Sequence, residues 1–253
     1  MSHGKKMRTP KISIITATFN AAKTLPSLIN DLQSQSCNDF EWIVSDGGSQ
    51  DSTLSLLSSE LGIDVRISSQ SDFGIYDALN RGVLQSHADY YLVIGADDRL
   101  DHQAVENYLK AIAASKADII TADIMIDGRR HRASPNWQVV KGIDAFISSH
   151  SVGAVFRKAL HDRVGLYSRK LPICADQLFV YKAHRAGART HKADFVAGEF
   201  TLDGTSGRDA LGIITETCRA KILAGYSVPL QLLILALRIL KNHSLIRHQS
   251  QLR

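Results

Sequence analysis

Nine residues constrain this chain more than any others. Tyr90-Tyr91-Leu92-Val93-Ile94-Gly95-Ala96 is apolar over about the length of a strand and stops at Asp97-Asp98. An apolar run without alternation fits a strand buried on both faces, as in a parallel sheet. Ligands of open α/β sheets bind beyond the carboxyl ends of such strands. Two adjacent carboxylates there repel each other unless a cation lies near them. Oxygen donors of this kind suit Mg²⁺ or Mn²⁺ and leave room for substrate phosphates. The pair itself leaves a second reading open, in which Asp98 or Asp101 is the N-cap of a helix over Ala104 to Ala114.

The segments before this run alternate. Ile12 to Thr18 reads as a β-branched strand. Leu25, Leu28, Ile29 and Leu32 have helical spacing, and Glu41 to Ser45 reads as a second strand. Asp46-Gly47-Gly48-Ser49-Gln50-Asp51-Ser52 follows as a turn, with Ser49 or Asp51 able to cap a helix that buries Leu54, Leu57 and Leu61. Asp64 to Ile67 predicts a short third strand, Gly74 to His87 a helix, and Tyr90 to Ala96 the fourth strand. Strands alternating with helices predict a parallel sheet covered on both faces. Beyond Asp101 we expect a helix near 102–115 and strands at Ala117–Ile126 and Val152–Phe156. A helix entered at Asp176 follows, then strands around Thr190–Ala197 and Glu199–Leu202. Arg129, Arg130, His131 and Arg132 read as a solvated strand or loop in preference to a basic substrate rim.

Several classes lose support. There is no Gly-x-Gly-x-x-Gly after the first strand and no Gly-x-x-x-x-Gly-Lys-Ser/Thr motif. Cys37, Cys174 and Cys218 have neither zinc spacing nor the look of a disulfide framework, which fits a reducing compartment. Met1 to Pro10 is polar and basic, with no apolar core of a secretory signal, and reads as a flexible N-terminus. The net charge of +5 is confined to Gly204–Arg253, which holds seven Lys/Arg against Asp209 and Glu216. The preceding 203 residues are balanced, so no nucleic-acid groove is expected in the main domain.

Four motifs in order carry a resemblance. They are Ile12 to Asn20, Asp46-Gly47-Gly48-Ser49-x-Asp51-Ser52-Thr53, Asp72-x-Gly74-Ile75-Tyr76-Asp77-Ala78-x-Asn80-x-Gly82, and Ala96-Asp97-Asp98. Together they resemble family 2 glycosyltransferases, most of all the bacterial members that build capsular, exopolysaccharide or glycolipid sugars. The resemblance covers roughly residues 11–205. It implies an α/β chain with the GT-A-type nucleotide-sugar-binding fold: a mostly parallel central sheet flanked by helices. The expected division is a flexible 1–10, a transferase domain 11–205 with a nucleotide-binding half (11–100) and an acceptor half (101–205), and a C-terminal helical segment 206–253.

The resemblance also implies roles. Asp46 would accept a hydrogen bond from the nucleotide base, for which a carboxylate suits uracil or guanine; its other reading is a turn aspartate bonding its own backbone. Thr16, Ala17 and Thr18 would contact the nucleoside, and Asp72 the base or ribose. Asp97 would face the ribose and Asp98 would bind Mg²⁺ or Mn²⁺, the metal bridging the diphosphate of a nucleoside-diphosphate sugar, with UDP favoured. Gly95 stands where many relatives have a further acid, and Leu79 where many have arginine. Asp176 would be the base that deprotonates an acceptor hydroxyl in an inverting displacement. His150 matches a family histidine and reads equally as an acceptor-side residue or a packed loop residue. Trp137 and Tyr167 read as core aromatics in preference to sugar platforms, and Gly204 to Arg208 as a connector or a lid.

The implied partners are the donor sugar nucleotide and a glycan or lipid-linked acceptor, with no nucleic acid. The implied location is cytoplasmic. Val228 to Lys241 is too short to span a bilayer. It reads either as an interfacial helix on the cytoplasmic face of the inner membrane or as a helix packed on protein, including a homo-oligomer. Two competitors differ in class. A nucleotidyltransferase would need a basic glycine-rich loop after the first strand, and Ala17 to Lys23 is not one. A non-catalytic sugar-nucleotide-binding protein would not need Asp97, Asp98 and Asp176 together.

Overall fold

The structure is a computed structural model that describes residues 11–58, 61–135, 138–201 and 209–251. Its first half follows the alternation of the sequence. β1 (Ile12–Thr18), α1 (Leu25–Gln33), β2 (Phe40–Asp46), α2 (Thr53–Leu57), β3 (Val65–Ser69), α3 (Ile75–Gln85) and β4 (Tyr90–Val93) come in that order. β1 lies between β2 and β4, parallel to both, and β3 extends the parallel sheet beyond β2. Residues on both faces of β1 are buried because both faces are covered. Ile12 and Ile14 pack with α1, while Ile15 packs with Leu79 and Val83 of α3.

The second half contains β5 (Arg99–Leu100), α4 (Ala104–Ser115), β6 (Ile119–Ile126), β7 (Arg129–His131), β8 (Ala154–Arg157), α5 (Leu160–Val164), α6 (Ala175–Arg185) and β9 (Thr190–Glu199). The sheet order is β3-β2-β1-β4-β8-β6-β9-β5, with β7 paired to β6. β8 is antiparallel to both β4 and β6, so the sheet is parallel in its first half and mixed in its second. Of the strands expected around Thr190–Ala197 and Glu199–Leu202, the first is β9, which runs to Glu199 with an irregular register against β6; Phe200 and Thr201 lie beyond it, and Leu202 is outside the described residues. The chain then forms α7 (Ala210–Leu223), α8 (Val228–Lys241) and α9 (His243–Gln251). Among the described residues no helix is long and apolar enough to cross a membrane.

The apolar run that ends in the acid pair is shorter as a strand than expected. β4 stops at Val93, although Ile94 still donates its N–H to the Ile15 carbonyl at 3.0 Å. Gly95 turns out of the sheet because its N–H is taken by side chains, Oδ2 of Asp98 and Oγ of Ser151, both at 3.0 Å. Arg129 to Arg132 form part of an edge strand and its exit. Arg130 and Arg132 both donate to Oδ2 of buried Asp123 at 2.7 Å, so they are committed to a carboxylate of the fold.

Candidate functional site

The carboxyl ends of β1 and β2 meet side by side, with Thr18 paired to Asp46. Asp46 is fully buried and accepts five hydrogen bonds. Thr18 Oγ1 (2.9 Å) and Ser49 Oγ (2.5 Å) donate to Oδ1. The backbone N–H groups of Gly48 and Ser49 (2.9 Å each) and Ser69 Oγ (2.7 Å) donate to Oδ2. Burial alone would raise its pKa, but the Ser49, Ser69 and Thr18 donors outweigh burial and hold the carboxyl below its ordinary value. Asp46 thus organises the Gly47-Gly48-Ser49 turn. Thr16 is a core residue: it is fully buried and its hydroxyl accepts the indole N–H of Trp42 at 3.0 Å. Ala17 is half-buried beside it.

Asp72 approaches the same turn from the loop before α3. A Cβ on Gly47 would stand 2.8 Å from Oδ2 of Asp72 and 3.4 Å from the ring of Phe19, so any larger residue there would push the Asp72 carboxylate aside. Arg81 braces this edge from below. Its Nη2 donates to the Asp46 carbonyl at 2.8 Å and lies 3.7 Å from Asp72, while Nη1 lies 3.8 Å from Asp77. Phe19 is 66% exposed and Phe73 87% exposed. Large aromatics left in water beside a turn are informative, since burial is their usual fate.

The acid pair divides sharply. Asp98 is 2% exposed. Its Oδ2 accepts from Gly95 N (3.0 Å) and Ser151 Oγ (2.5 Å), and its Oδ1 from Thr201 N (3.0 Å). Burial pushes its pKa up, opposed by those donors and reinforced by the charge of Asp97. It is not a helix cap, because α4 begins at Ala104 and Asp101 accepts the N–H of Gln103. Asp97 is half-buried, and among the described residues nothing donates to its carboxylate. A Cβ on Gly95 would lie 2.7 Å from Asp97 Oδ1 and 2.9 Å from Asp98 Oδ2, so both carboxylates converge over the glycine. Two such oxygens fit a divalent cation that takes its remaining ligands from diphosphate and water. Among the described residues no group of three or more His, Cys, Asp or Glu is placed to hold a metal without that help.

Asp176 lies in the first turn of α6, and burial pushes its pKa up to about 6, against a hydrogen bond from Tyr76. Tyr76 Oη is 2.8 Å from both Asp176 Oδ1 and the Ile173 carbonyl. The N-terminus of α6 is fixed by α7, where Oε2 of Glu216 accepts the N–H groups of Ile173 and Cys174 at 2.9 Å each. Behind Asp176 runs a buried polar chain. His161 Nδ1 faces the Gly165 carbonyl (3.1 Å) and so carries the proton, leaving Nε2 to accept from Tyr91 Oη (2.8 Å). Tyr91 then accepts from Tyr167 (2.7 Å), and Tyr167 from His150 Nε2 (2.7 Å). Burial lowers the pKa of His150 to about 3, so it is neutral. His150 and Tyr167 are therefore packing residues with satisfied polar ends, and Asn80 clamps the Tyr167 backbone with two 2.9 Å bonds.

The turn after β2 and the acid pair after β4 lie in a stretch that matches a known family. The model for "Glycosyl transferase family 2" matches residues 13–160. The chain belongs to that family. This family 2 glycosyltransferase is 30% identical over 181 residues to "PGL/p-HBAD biosynthesis glycosyltransferase" of Mycobacterium bovis, covering 67% of this chain and 68% of that one. Its fold is similar to S. aureus TarS 1-349 in complex with UDP-GlcNAc (TM-score 0.69, 19% identity, 94% of this chain and 74% of that chain). It is also similar to glucosyl-3-phosphoglycerate synthase of Mycobacterium tuberculosis in complex with Mn²⁺, UDP and phosphoglyceric acid (TM-score 0.62, 12% identity, 86% and 80%). The glycosyltransferase thus has the GT-A fold expected from its motifs.

In the transferase, Asp46, Asp72, Asp97 and Asp98 gather at the carboxyl ends of β1, β2 and β4. Asp176 joins them through Tyr76, which belongs to the helix that starts just after Asp72. Sequence reasoning missed Phe19, Arg81, Ser151, Thr201 and Glu216. Phe19 and Arg81 lie inside recognised motifs, so their positions carried a signal. Ser151, Thr201 and Glu216 reach the site only through tertiary contacts. Trp137 and Gly204 to Arg208 lie outside the described residues.

Proposed function

We propose that this glycosyltransferase moves a sugar from a nucleoside-diphosphate sugar to a hydroxyl of a glycan or lipid-linked acceptor, inverting the anomeric centre. The observation that carries the reading is Asp176, a half-buried carboxyl with its pKa near 6, oriented by Tyr76 and by the Glu216-held turn. A base of that pKa is ionised at neutral pH and still basic enough to take a proton from an attacking hydroxyl. A double displacement would need a second free carboxylate as nucleophile. Glu216, which reaches the same helix terminus, is spent on two backbone N–H groups.

The donor half supports a division of labour different from the one its motif implies. Asp97, with its free carboxylate, is the better first ligand for Mg²⁺ or Mn²⁺, and Asp98 holds the turn that aims it. Such a cation, when bound, neutralises the charge of the departing nucleoside diphosphate. The Asp46 turn and Asp72 form the nucleoside edge, with Phe19 as an apolar wall. UDP is favoured as the nucleotide, in keeping with the UDP and Mn²⁺ held by the M. tuberculosis synthase. The acceptor would be met at the cytoplasmic face of a membrane, in surface polysaccharide or glycolipid synthesis.

A thermal-shift screen of UDP-, GDP- and dTDP-sugars with and without Mn²⁺, followed by NMR of the product anomer, tests this. A Mn²⁺-enhanced shift with one nucleotide and an inverted product are expected. No shift with any sugar nucleotide, or a retained anomer, would sink it.

A further inference from the structure

The C-terminal helices present a surface that the transfer reaction does not use. α8 packs inward through Gln231 and Ile234, both buried, and its Arg238 donates to the Val140 carbonyl at 2.6 Å. Its opposite side is a leucine stripe: Leu233 is 58% exposed, Leu237 58% and Leu240 69%. These positions are spaced as neighbours on one helix face. Solvent-facing leucines repeated along two turns exceed what a surface helix needs.

We propose that this face of α8 lies on an anionic lipid surface, with the helix axis in the plane of the interface. Charge selects that occupant. From Thr217 to Arg253 the sequence contains no Asp or Glu, while Lys241 closes α8 as an exposed cation. An anionic membrane pairs Lys241, which no acid of this segment neutralises, and exposed leucines beside a lysine fit the chemistry of interfacial helices. At 14 residues the helix is about 21 Å long, which suits lying in the interface and not crossing it. The same structural unit is tied to the base, since α7 packs on α8 and its Glu216 holds the turn that carries Asp176. Docking does not depend on the transferase reading, because lipid binding is measured without turnover.

Co-sedimentation of the full chain with vesicles of phosphatidylcholine plus phosphatidylglycerol, and of phosphatidylcholine alone, tests the proposal. We expect binding to the anionic vesicles that weakens with salt. The triple variant Leu233→Gln, Leu237→Gln, Leu240→Gln should lose about tenfold or more in partitioning, and Lys241→Gln roughly fivefold. These side chains face solvent, so melting temperatures should not fall. Absent binding, or binding indifferent to the leucine substitutions, overturns the proposal. So does a dimer seen by light scattering that the triple variant dissolves while vesicles are left unbound.

Discussion

Tyr76 donates its hydroxyl toward Oδ1 of Asp176 at 2.8 Å, across 100 residues of sequence. This bond favours the ionised carboxylate and opposes the burial that lifts its pKa to about 6. The rate should therefore fall as pH drops through about 6, where the base takes up its proton. Tyr76→Phe should move that limb upward by about one unit, read from kcat/KM against pH. A limb that stays in place would separate Tyr76 from the base.

The same shift makes a statement about stability. Because the folded pKa lies above the unfolded one, the ionised carboxylate opposes folding as pH rises through about 6. Asp176→Asn should lose turnover, keep nucleotide binding and melt a few degrees higher than the parent at about pH 8, with little difference at about pH 3, below the ordinary aspartate value. Equal melting at both values would mean that the carboxylate is not desolvated.

Asp97 and Asp98 should separate on substitution. Asp97→Asn is expected to cut turnover by about a hundredfold or more with an unchanged melting temperature. Asp98→Asn places an amide against Gly95 N–H, Thr201 N–H and the Ser151 hydroxyl, and should cost about 1–3 kcal/mol of stability. Melting curves and Mn²⁺-dependent nucleotide binding read the two effects independently. Loss of metal response in Asp98→Asn with full stability would return the metal to Asp98.

Arg81 touches the nucleoside edge only through the Asp46 carbonyl and Asp72, so it positions and does not react. Arg81→Met should raise KM for the donor by about tenfold with kcat little changed, and Arg81→Lys should recover part of the loss. A fall in kcat at constant KM would place its effect elsewhere.

Lys221 is buried and donates to the carbonyls of Gln138, Val139 and Lys141 at 3.1, 2.7 and 2.5 Å. Lys221→Met leaves three acceptors without their donor and should destabilise by about 2–4 kcal/mol, measured by denaturant unfolding. Nucleotide binding below the melting temperature should survive.

The parallel half of the sheet was readable because its signals are local. Ile12 to Thr18 and Tyr90 to Val93 are apolar on both faces, and Asp46-Gly47-Gly48 announces its own turn. The place of β8 between β4 and β6 was not readable, since Ala154–Arg157 would look the same beside any partner. The candidate acids could be named from their motifs, but their hydrogen-bond commitments could not. Nothing near Asp98 in sequence says that Ser151 and Thr201 will close over it, and nothing near Asp176 names Glu216. Thr16 shows the same limit: a hydroxyl at a strand end looks available until Trp42 is seen to occupy it.

Glu216 bears on how this protein can be trimmed or joined to others. The family match ends at residue 160, and a shortened chain that stopped before α7 would keep every donor-side contact described above. It would also release the two N–H groups that set the turn beneath Asp176. The last helices are therefore built into the turn that carries Asp176, and an engineer exchanging segments between relatives should carry them along.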